Sequence, residues 1–425
     1  MTGPALFLYA TISGMDAPLS IIIFGATGDL YEKKLAHALH ALFSRGLVPR
    51  DVRVVGFGRR PLGDHGFRAH TAAALAKKGA ASADFLARCS YVRGDLGSQD
   101  DFLKLGHYLA DEDAKAGSCS NKIFYLAVPP PFYAGIFRNI ADAGLTVPCA
   151  PGQLYESAPW TRVLVEKPFG KDGTEAERLD RILGELFDES QIFRIDHYLA
   201  KETMQNIIAF RFANPMFAPL WNKGHVERVR IIVHEEKPVG ARGAFYDGVG
   251  ALRDVGQNHM LQMLALVAME KPLDMSASAV RSARAAALEC VKLDHGVAPF
   301  RAQYAGYRGE PGVAEGSQTE TFFRATVGVN NNRWRGVPFE LESGKALAAS
   351  RAAIEIVFKG KPGNVLTFVI QPHEGIRLRF NFKRPGFELA LLERELSFGY
   401  ADDAADAGAR DAYERVLYDC IRGDQ

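Results

Sequence analysis

The sequence predicts two domains: an α/β domain built on a parallel, doubly wound sheet, then an α+β domain with a large, mostly antiparallel sheet. Three observations predict this. The chain has 425 residues, more than one ordinary core serves. Its opening runs strand, glycine turn, helix, strand, the start of a parallel sheet with crossover helices. Its second half strings strand-like segments together with few helices between them, which favours antiparallel pairing.

The elements follow in order. Ser20 to Phe24 is a short β-branched run ending in a glycine turn, and Lys34 to Leu47 then shows helical apolar spacing. Val52 to Gly56 reads as a second buried strand. Lys122 to Val128 reads as another, stopped by Pro129-Pro130-Pro131. Arg162 to Val165 is a further strand and Thr174 to Leu186 a helix. The first domain therefore spans 18–195 and the second 196–425. In the second, Val226–His234, Thr319–Val329, Ala353–Lys359, Val365–Gln371 and Gly375–Lys383 are strand-like. Helices at Tyr198–Phe212, Asp254–Met269 and Asp411–Arg422 would cover that sheet. In the last of these, Tyr413, Val416, Leu417, Cys420 and Ile421 form an apolar stripe for a core.

Composition narrows the function. Apolar residues make up 47% and charged residues 24%, as in soluble globular proteins. A net charge of +1 gives no large field toward nucleic acid or a membrane surface, and no apolar run reaches the roughly 18 residues of a span. Met1 to Ser20 contains no Lys or Arg, which argues against a signal peptide. Five scattered cysteines show no metal-ligand spacing, so free thiols in a reducing cytoplasm and no metal are expected.

Three motifs carry chemistry. Gly25-x-x-Gly28 sits between a strand and a helix, where backbone N–H groups make an anion site suited to a pyrophosphate; Thr27 adds a hydroxyl. The second strand ends in Arg59-Arg60 with no acid. Guanidiniums suit a 2′-phosphate, so NADP is the expected cofactor; the alternative is a solvated basic loop. Glu166-Lys167-Pro168 follows a strand at the sheet's carboxyl edge. There Lys167 can reach sugar hydroxyls and the nicotinamide, or be an exposed lysine in a surface turn.

The third motif, Asp196-His197-Tyr198 with Lys201, packs an acid, an imidazole, a phenol and an amine into six residues. Asp196 suits an N-cap. His197 and Lys201, four apart, would share a helix face and offer donors to a small anion. His259 opens an apolar helix and is either a satisfied core histidine or a base in a cleft. Before it, Gly240 to Gly250 turns tightly around something.

Together these segments resemble the glucose-6-phosphate dehydrogenase family from about Ser20 to the C-terminus. The resemblance rests on Gly25-Ala26-Thr27-Gly28-Asp29-Leu30, the Arg59 loop, Tyr125 to Pro130, Val165 to Gly170 and Arg194 to Glu202. It continues through Ala251 to Asp254 with Gln257-Asn258-His259, Arg333-Trp334 with Gly336 to Phe339, and Gly344 to Leu347. It implies a Rossmann-type first domain and oxidation of glucose 6-phosphate by NADP+, the first step of the oxidative pentose phosphate pathway. By position, it implies that His259 is the general base and Asp196 its partner. His197, Tyr198 and Lys201 would hold the sugar phosphate, helped by Lys345. Glu235, Asp254 and Lys167 would bind sugar hydroxyls, and Gln371 lies in a matching segment. Tyr133, Lys167 and the glycine turn with Asp29 and Leu30 would line the cofactor site. A cytoplasmic homodimer or homotetramer is implied.

Four departures from the family pattern stand out: Ala200, the Gly240–Ala244 loop, Gly248, and Glu342 where an Arg is common, which would oppose an extra phosphate site near Lys345. The chain ends earlier than the family pattern, leaving an expectation that further C-terminal residues would add stability. The competing readings are a Rossmann dehydrogenase of another sugar and a non-catalytic regulatory paralogue.

Overall fold

The computed structural model describes residues 17–79, 82–149, 159–170, 172–294, 296–400 and 411–425. The chain forms two compact units. The first contains residues up to Ile195 together with Tyr413–Gln425, the second Asp196–Ala412.

Among the described residues, the first unit is built on a six-stranded, wholly parallel sheet. Its strands are β1 (Leu19–Phe24), β2 (Val52–Gly58), β3 (Cys89–Arg93), β4 (Asn121–Leu126), β5 (Thr161–Val165) and β6 (Ile192–Arg194), in the spatial order 3-2-1-4-5-6. β1 is buried along its whole length, so a run of Ile21, Ile22 and Ile23 suits both faces. Two apolar clusters result. Ile21, Ile23 and Val54 face one set of helices, while Ile22, Phe24 and Val55 face the other. The order reverses between β1 and β4, and ligands of such sheets bind at the carboxyl ends beside that switch point.

The carboxy-terminal helix, Ala412–Arg422, departs from the expectation that it covers the second sheet. Tyr413, Leu417 and Cys420 pack into the first unit's core. Arg162 Nη1 donates to the carbonyls of Cys420 and Ile421 at 2.6 and 2.9 Å, fixing the helix end. An amphipathic stripe dictates that a helix buries one face, but not against which sheet.

The second unit carries a nine-stranded sheet among the described residues. Its strands are β7 (Val226–His234), β8 (Val291–Leu293), β9 (Phe300–Ala302), β10 (Phe322–Val329), β11 (Pro338–Gly344), β12 (Arg351–Phe358), β13 (Val365–Gln371), β14 (Gly375–Lys383) and β15 (Leu391–Gly399). All pairings are antiparallel except β7 with β11. Helices Glu202–Ala213 and Leu261–Ala268 pack Met204, Ile207, Met263, Leu264 and Val267 onto it.

The cysteines correct one expectation. Cys119 and Cys149 form a disulfide, leaving Cys89, Cys290 and Cys420 as free thiols. The two lie 30 residues apart, but Cys119 immediately precedes Ser120 and β4 while Cys149 follows the helix Tyr133–Asp142, so topology brings them together. No helix among the described residues is long and apolar enough to cross a membrane.

Candidate active site

The first unit makes a tight glycine turn at its switch point. β1 ends at Phe24, and Gly25 takes φ +84°, a conformation that favours glycine. A Cβ there would also sit 2.5 Å from the Ala127 carbonyl oxygen, so the turn lies against the exit of β4. Gly28 N–H donates to the Gly25 carbonyl at 3.0 Å, closing the turn. A helix follows through Tyr31–Leu35 and Ala36–Ser44, starting earlier than the apolar spacing suggests. Asp29, at its start, is exposed and ion-paired to Lys33, which holds its carboxyl below the ordinary value. Leu30 is half-buried against the first core. A glycine turn feeding a helix N-terminus fits a dinucleotide pyrophosphate.

Arg59 and Arg60 follow β2 directly and are exposed; Asp95 Oδ2 lies 4.0 Å from Arg59 Nε. Lys167 follows β5, within a cis Lys167-Pro168 turn. The carboxyl of its neighbour Glu166 is buried, which raises its pKa, and it accepts from Tyr125 at 2.5 Å. Tyr133 follows β4 and opens the helix Tyr133–Asp142. Its ring is fully buried, and its hydroxyl donates to the Glu166 carbonyl at 3.0 Å. It therefore braces the backbone that carries Lys167.

The second unit gathers most of the remaining candidates. The segment 197–201 is a pair of turns, and the helix begins only at Glu202, so His197 and Lys201 do not share a helix face. The Asp196 Oδ1 accepts the Tyr198 N–H at 2.9 Å, and the backbone closes two turns: the Leu199 N–H donates to the Asp196 carbonyl at 3.0 Å and the Lys201 N–H to the Tyr198 carbonyl at 3.1 Å. The same Oδ1 accepts from His259 Nδ1 at 2.6 Å. His259 lies where π-helical turns (Leu252–Met260) run into the helix Leu261–Ala268. The widened turn places the imidazole, only 2% exposed, toward Asp196 rather than into the apolar core.

A carboxylate can only accept, so Nδ1 carries the shared proton and Nε2 is the ring nitrogen with the lone pair. Burial works against ionising Asp196, but the His259 hydrogen bond and charge, with the Tyr198 N–H, outweigh it and hold the carboxyl below its ordinary range. The Tyr198 ring lies 4.1 Å from the imidazole of His259, and His197 meets it edge-on at 4.9 Å. Burial raises the Tyr198 phenol, with Glu235, Asp196 and Asp254 adding to it. Lys345, 6% exposed, donates to Glu235 at 2.7 Å. Lys201 donates to Gln371 Oε1 at 2.9 Å and lies 5.0 Å from the Tyr198 ring centroid. Gln371 thus aims a lysine, a role that a lone glutamine in the sequence does not reveal.

Two other expectations resolve structurally. The Gly240–Gly250 loop turns around the segment after β9. A Cβ on Gly243 would meet the Pro311 carbonyl oxygen at 2.2 Å, Asp247 accepts from Tyr307 at 3.2 Å, and Glu320 accepts the Leu252 N–H at 3.0 Å. Glu342 is held by Arg324 at 2.6 Å and His234 at 2.9 Å, so its charge is already matched. It lines a cleft of about 1080 Å³ with Arg228, Arg230 and Lys292; none of the residues around His259 contributes to it.

An imidazole whose Nδ1 is held by a carboxylate can accept a proton at Nε2, and the turn beside it is rich in groups able to donate to an anion. The family model for the glucose-6-phosphate dehydrogenase NAD binding domain matches residues 22–206, and that for the C-terminal domain matches 208–425. The chain belongs to the glucose-6-phosphate dehydrogenase family. It is 39% identical over 433 residues to glucose-6-phosphate 1-dehydrogenase 5, cytoplasmic, of Arabidopsis thaliana, covering 96% of this chain and 81% of that protein. A solved glucose-6-phosphate dehydrogenase in complex with glucose 6-phosphate superimposes with a TM-score of 0.88 at 32% identity, covering 97% of this chain and 88% of that one. The glucose-6-phosphate 1-dehydrogenase of Mycobacterium avium gives 0.82 at 30% identity, with 97% and 87% covered.

Proposed function

We propose that the chain oxidises glucose 6-phosphate at its anomeric carbon, giving the phosphogluconolactone, with NADP+ as hydride acceptor. The observation that carries this reading is the buried His259–Asp196 pair, joined at 2.6 Å and flanked in one turn by His197, Tyr198 and Lys201.

His259 accepts the proton of the anomeric hydroxyl at Nε2. Asp196 holds Nδ1 protonated and stabilises the imidazolium that forms. His197, Tyr198 and Lys201, with Lys345, hold the phosphate; that remote binding orients the reacting carbon. Glu235, Asp254 and Lys167 accept from or donate to the sugar hydroxyls, and Gln371 positions Lys201. Gly25, Thr27, Gly28, Asp29 and Leu30 hold the dinucleotide, and Arg59 selects its 2′-phosphate. When bound, the oxidised nicotinamide supplies the acceptor for the departing hydride.

Apolar residues exposed on β14 and β15 (Phe382, Leu391, Leu396 and Phe398) support self-association as a homodimer or homotetramer. The names of several relatives support a cytoplasmic setting. Reduced-nicotinamide absorbance tests the reaction: glucose 6-phosphate with NADP+ turns over, and glucose is a far poorer substrate. Equal or better efficiency with glucose would refute the roles given to His197, Tyr198 and Lys201. Light scattering of the purified protein tests the oligomer, and a monomer would refute it.

A further inference from the structure

We propose that Arg93 is a second specificity-determining cation for the cofactor's 2′-phosphate, acting beside Arg59 from the neighbouring strand. This rests on the NADP+ reading above.

The placement follows from the sheet. β2 and β3 are parallel neighbours, and Gly58, the last residue of β2, pairs with Arg93, the last of β3. Both strands therefore end at the same carboxyl edge, next to β1 and its glycine turn. The Gly94 N–H donates to the Gly58 carbonyl at 3.0 Å, locking the two chain exits together. Gly94 permits this approach: a Cβ there would lie 2.3 Å from the Phe57 ring. Arg93 Nε then donates to the Arg59 carbonyl at 3.3 Å. With Nε engaged, the planar guanidinium is oriented along the Arg59 backbone and its two Nη groups remain for an oxyanion fork.

Arg60 belongs to the same cluster. Burial raises the Tyr91 phenol, while Arg60 and Arg93 both oppose that rise. The opposing charge is Asp95, whose Oδ2 lies 4.0 Å from Arg59 Nε. Two more carboxylates lie close by, each with its own cation: Asp101, which accepts the Asp95 N–H, pairs with Lys104 at 2.7 Å, and Asp64, which accepts the Tyr91 N–H, lies 3.9 Å from Arg68, so the three guanidiniums and Asp95 leave two net positive charges. A phosphate monoester carries about −1.5 to −2 at neutral pH, which this matches. The 2′-hydroxyl of NAD+ is uncharged and offers such a cluster only a neutral acceptor.

Adenosine 2′,5′-bisphosphate and 5′-AMP separate the phosphate from the rest of the nucleotide. Calorimetry of each is carried out on the wild type, Arg59→Ala, Arg93→Ala and Arg93→Lys, alongside kcat/KM for NADP+ and NAD+. Arg93→Ala is expected to weaken the bisphosphate about three- to thirty-fold, since these cations are solvent-exposed, and to change 5′-AMP less than two-fold. Arg93→Lys is expected to recover part of the loss. Equal losses for both nucleotides would mean that Arg93 only braces the Arg59 loop, overturning the proposal. A wild type that prefers the bisphosphate while Arg93→Ala keeps that preference overturns the Arg93 assignment alone. A wild type with no preference overturns the NADP+ reading, and this proposal with it.

Discussion

Replacing Asp196 with asparagine would separate charge from geometry in the proposed base. Two donors converge on one oxygen: His259 Nδ1–H at 2.6 Å and Tyr198 N–H at 2.9 Å both reach Oδ1. In the variant, the Tyr198 N–H holds the amide oxygen in that place. The imidazole still meets an acceptor, and the Nδ1-protonated tautomer survives. Where an equivalent substitution inverts the tautomer, turnover falls about 10⁴-fold. Here only the negative charge is lost. A charge-assisted hydrogen bond contributes about 1.5–3 kcal/mol and a neutral one about 0.5–1.5. The Asp196 side chain is 16% exposed, so solvent screens little of the difference. The expected cost to the transition state is about 1–2 kcal/mol, or roughly 5- to 30-fold in kcat.

Asp196→Ala would behave differently. It removes the acceptor and leaves two buried donors unsatisfied, adding about 1–3 kcal/mol. The alanine variant is therefore expected well below the asparagine variant. Initial rates at saturating substrates measure both, with anomerically deuterated glucose 6-phosphate confirming that hydride transfer limits the rate. An asparagine variant as impaired as the alanine one would refute the shared-oxygen argument. An asparagine variant within two-fold of wild type would remove Asp196's charge from the mechanism.

Four further outcomes are expected. His259→Asn should lower kcat by about 10²–10⁴ with little change in substrate affinity, because proton abstraction occurs only in the transition state; near-normal turnover would return His259 to a packing role. Gln371→Ala should raise KM for glucose 6-phosphate roughly 2- to 12-fold, the worth of one hydrogen bond to Lys201, and leave kcat nearly unchanged; an unaltered KM would refute the aiming role. Gly25→Ala should destabilise the fold by about 1–3 kcal/mol and abolish cofactor binding, because its φ is positive and Ala127 blocks the Cβ; unimpaired cofactor binding in titrations would refute the cradle. Asp247→Asn tests linkage. Ser317 chiefly depresses the Asp247 pKa from 3.8 to about 2 in the fold, so its stabilising effect is complete above pH ~4 and lost as pH falls toward 2. The variant's melting temperature should vary less with pH across that window; identical slopes would refute this.

Much of the fold was legible because its signals are local. A run of β-branched residues, a glycine turn and an amphipathic stretch each declare themselves within a dozen residues. The misses occurred where local signals are weak or tertiary context decides. β11 opens with a proline, which demotes a strand, and its alternating burial appears only once β7 and β10 flank it. β15 is exposed along most of its length, so no buried alternation marks it. The C-terminal stripe announced a buried face, but its partner, the first unit's core, is far away in sequence.

The site divides along the same line. The donors at 197–201 were legible as a cluster because they are adjacent in sequence, but the helix assumed for them was wrong. Helical spacing takes the backbone's preference as decisive, whereas the chain makes two turns, Asp196 to Leu199 and Tyr198 to Lys201, before the helix begins at Glu202. Asp196 stands at the first of those turns. The turn it makes keeps its Oδ1 at the end of the strand-to-helix link, where a histidine 63 residues later can reach it. Sequence left His259 between core packing and catalysis because both place a histidine on an apolar helix. The difference lies in the π-helical widening and in the carboxylate it meets, and neither is written in the residues around His259. Local pattern thus identifies which groups are present, while long-range pairing decides which of them can move a proton.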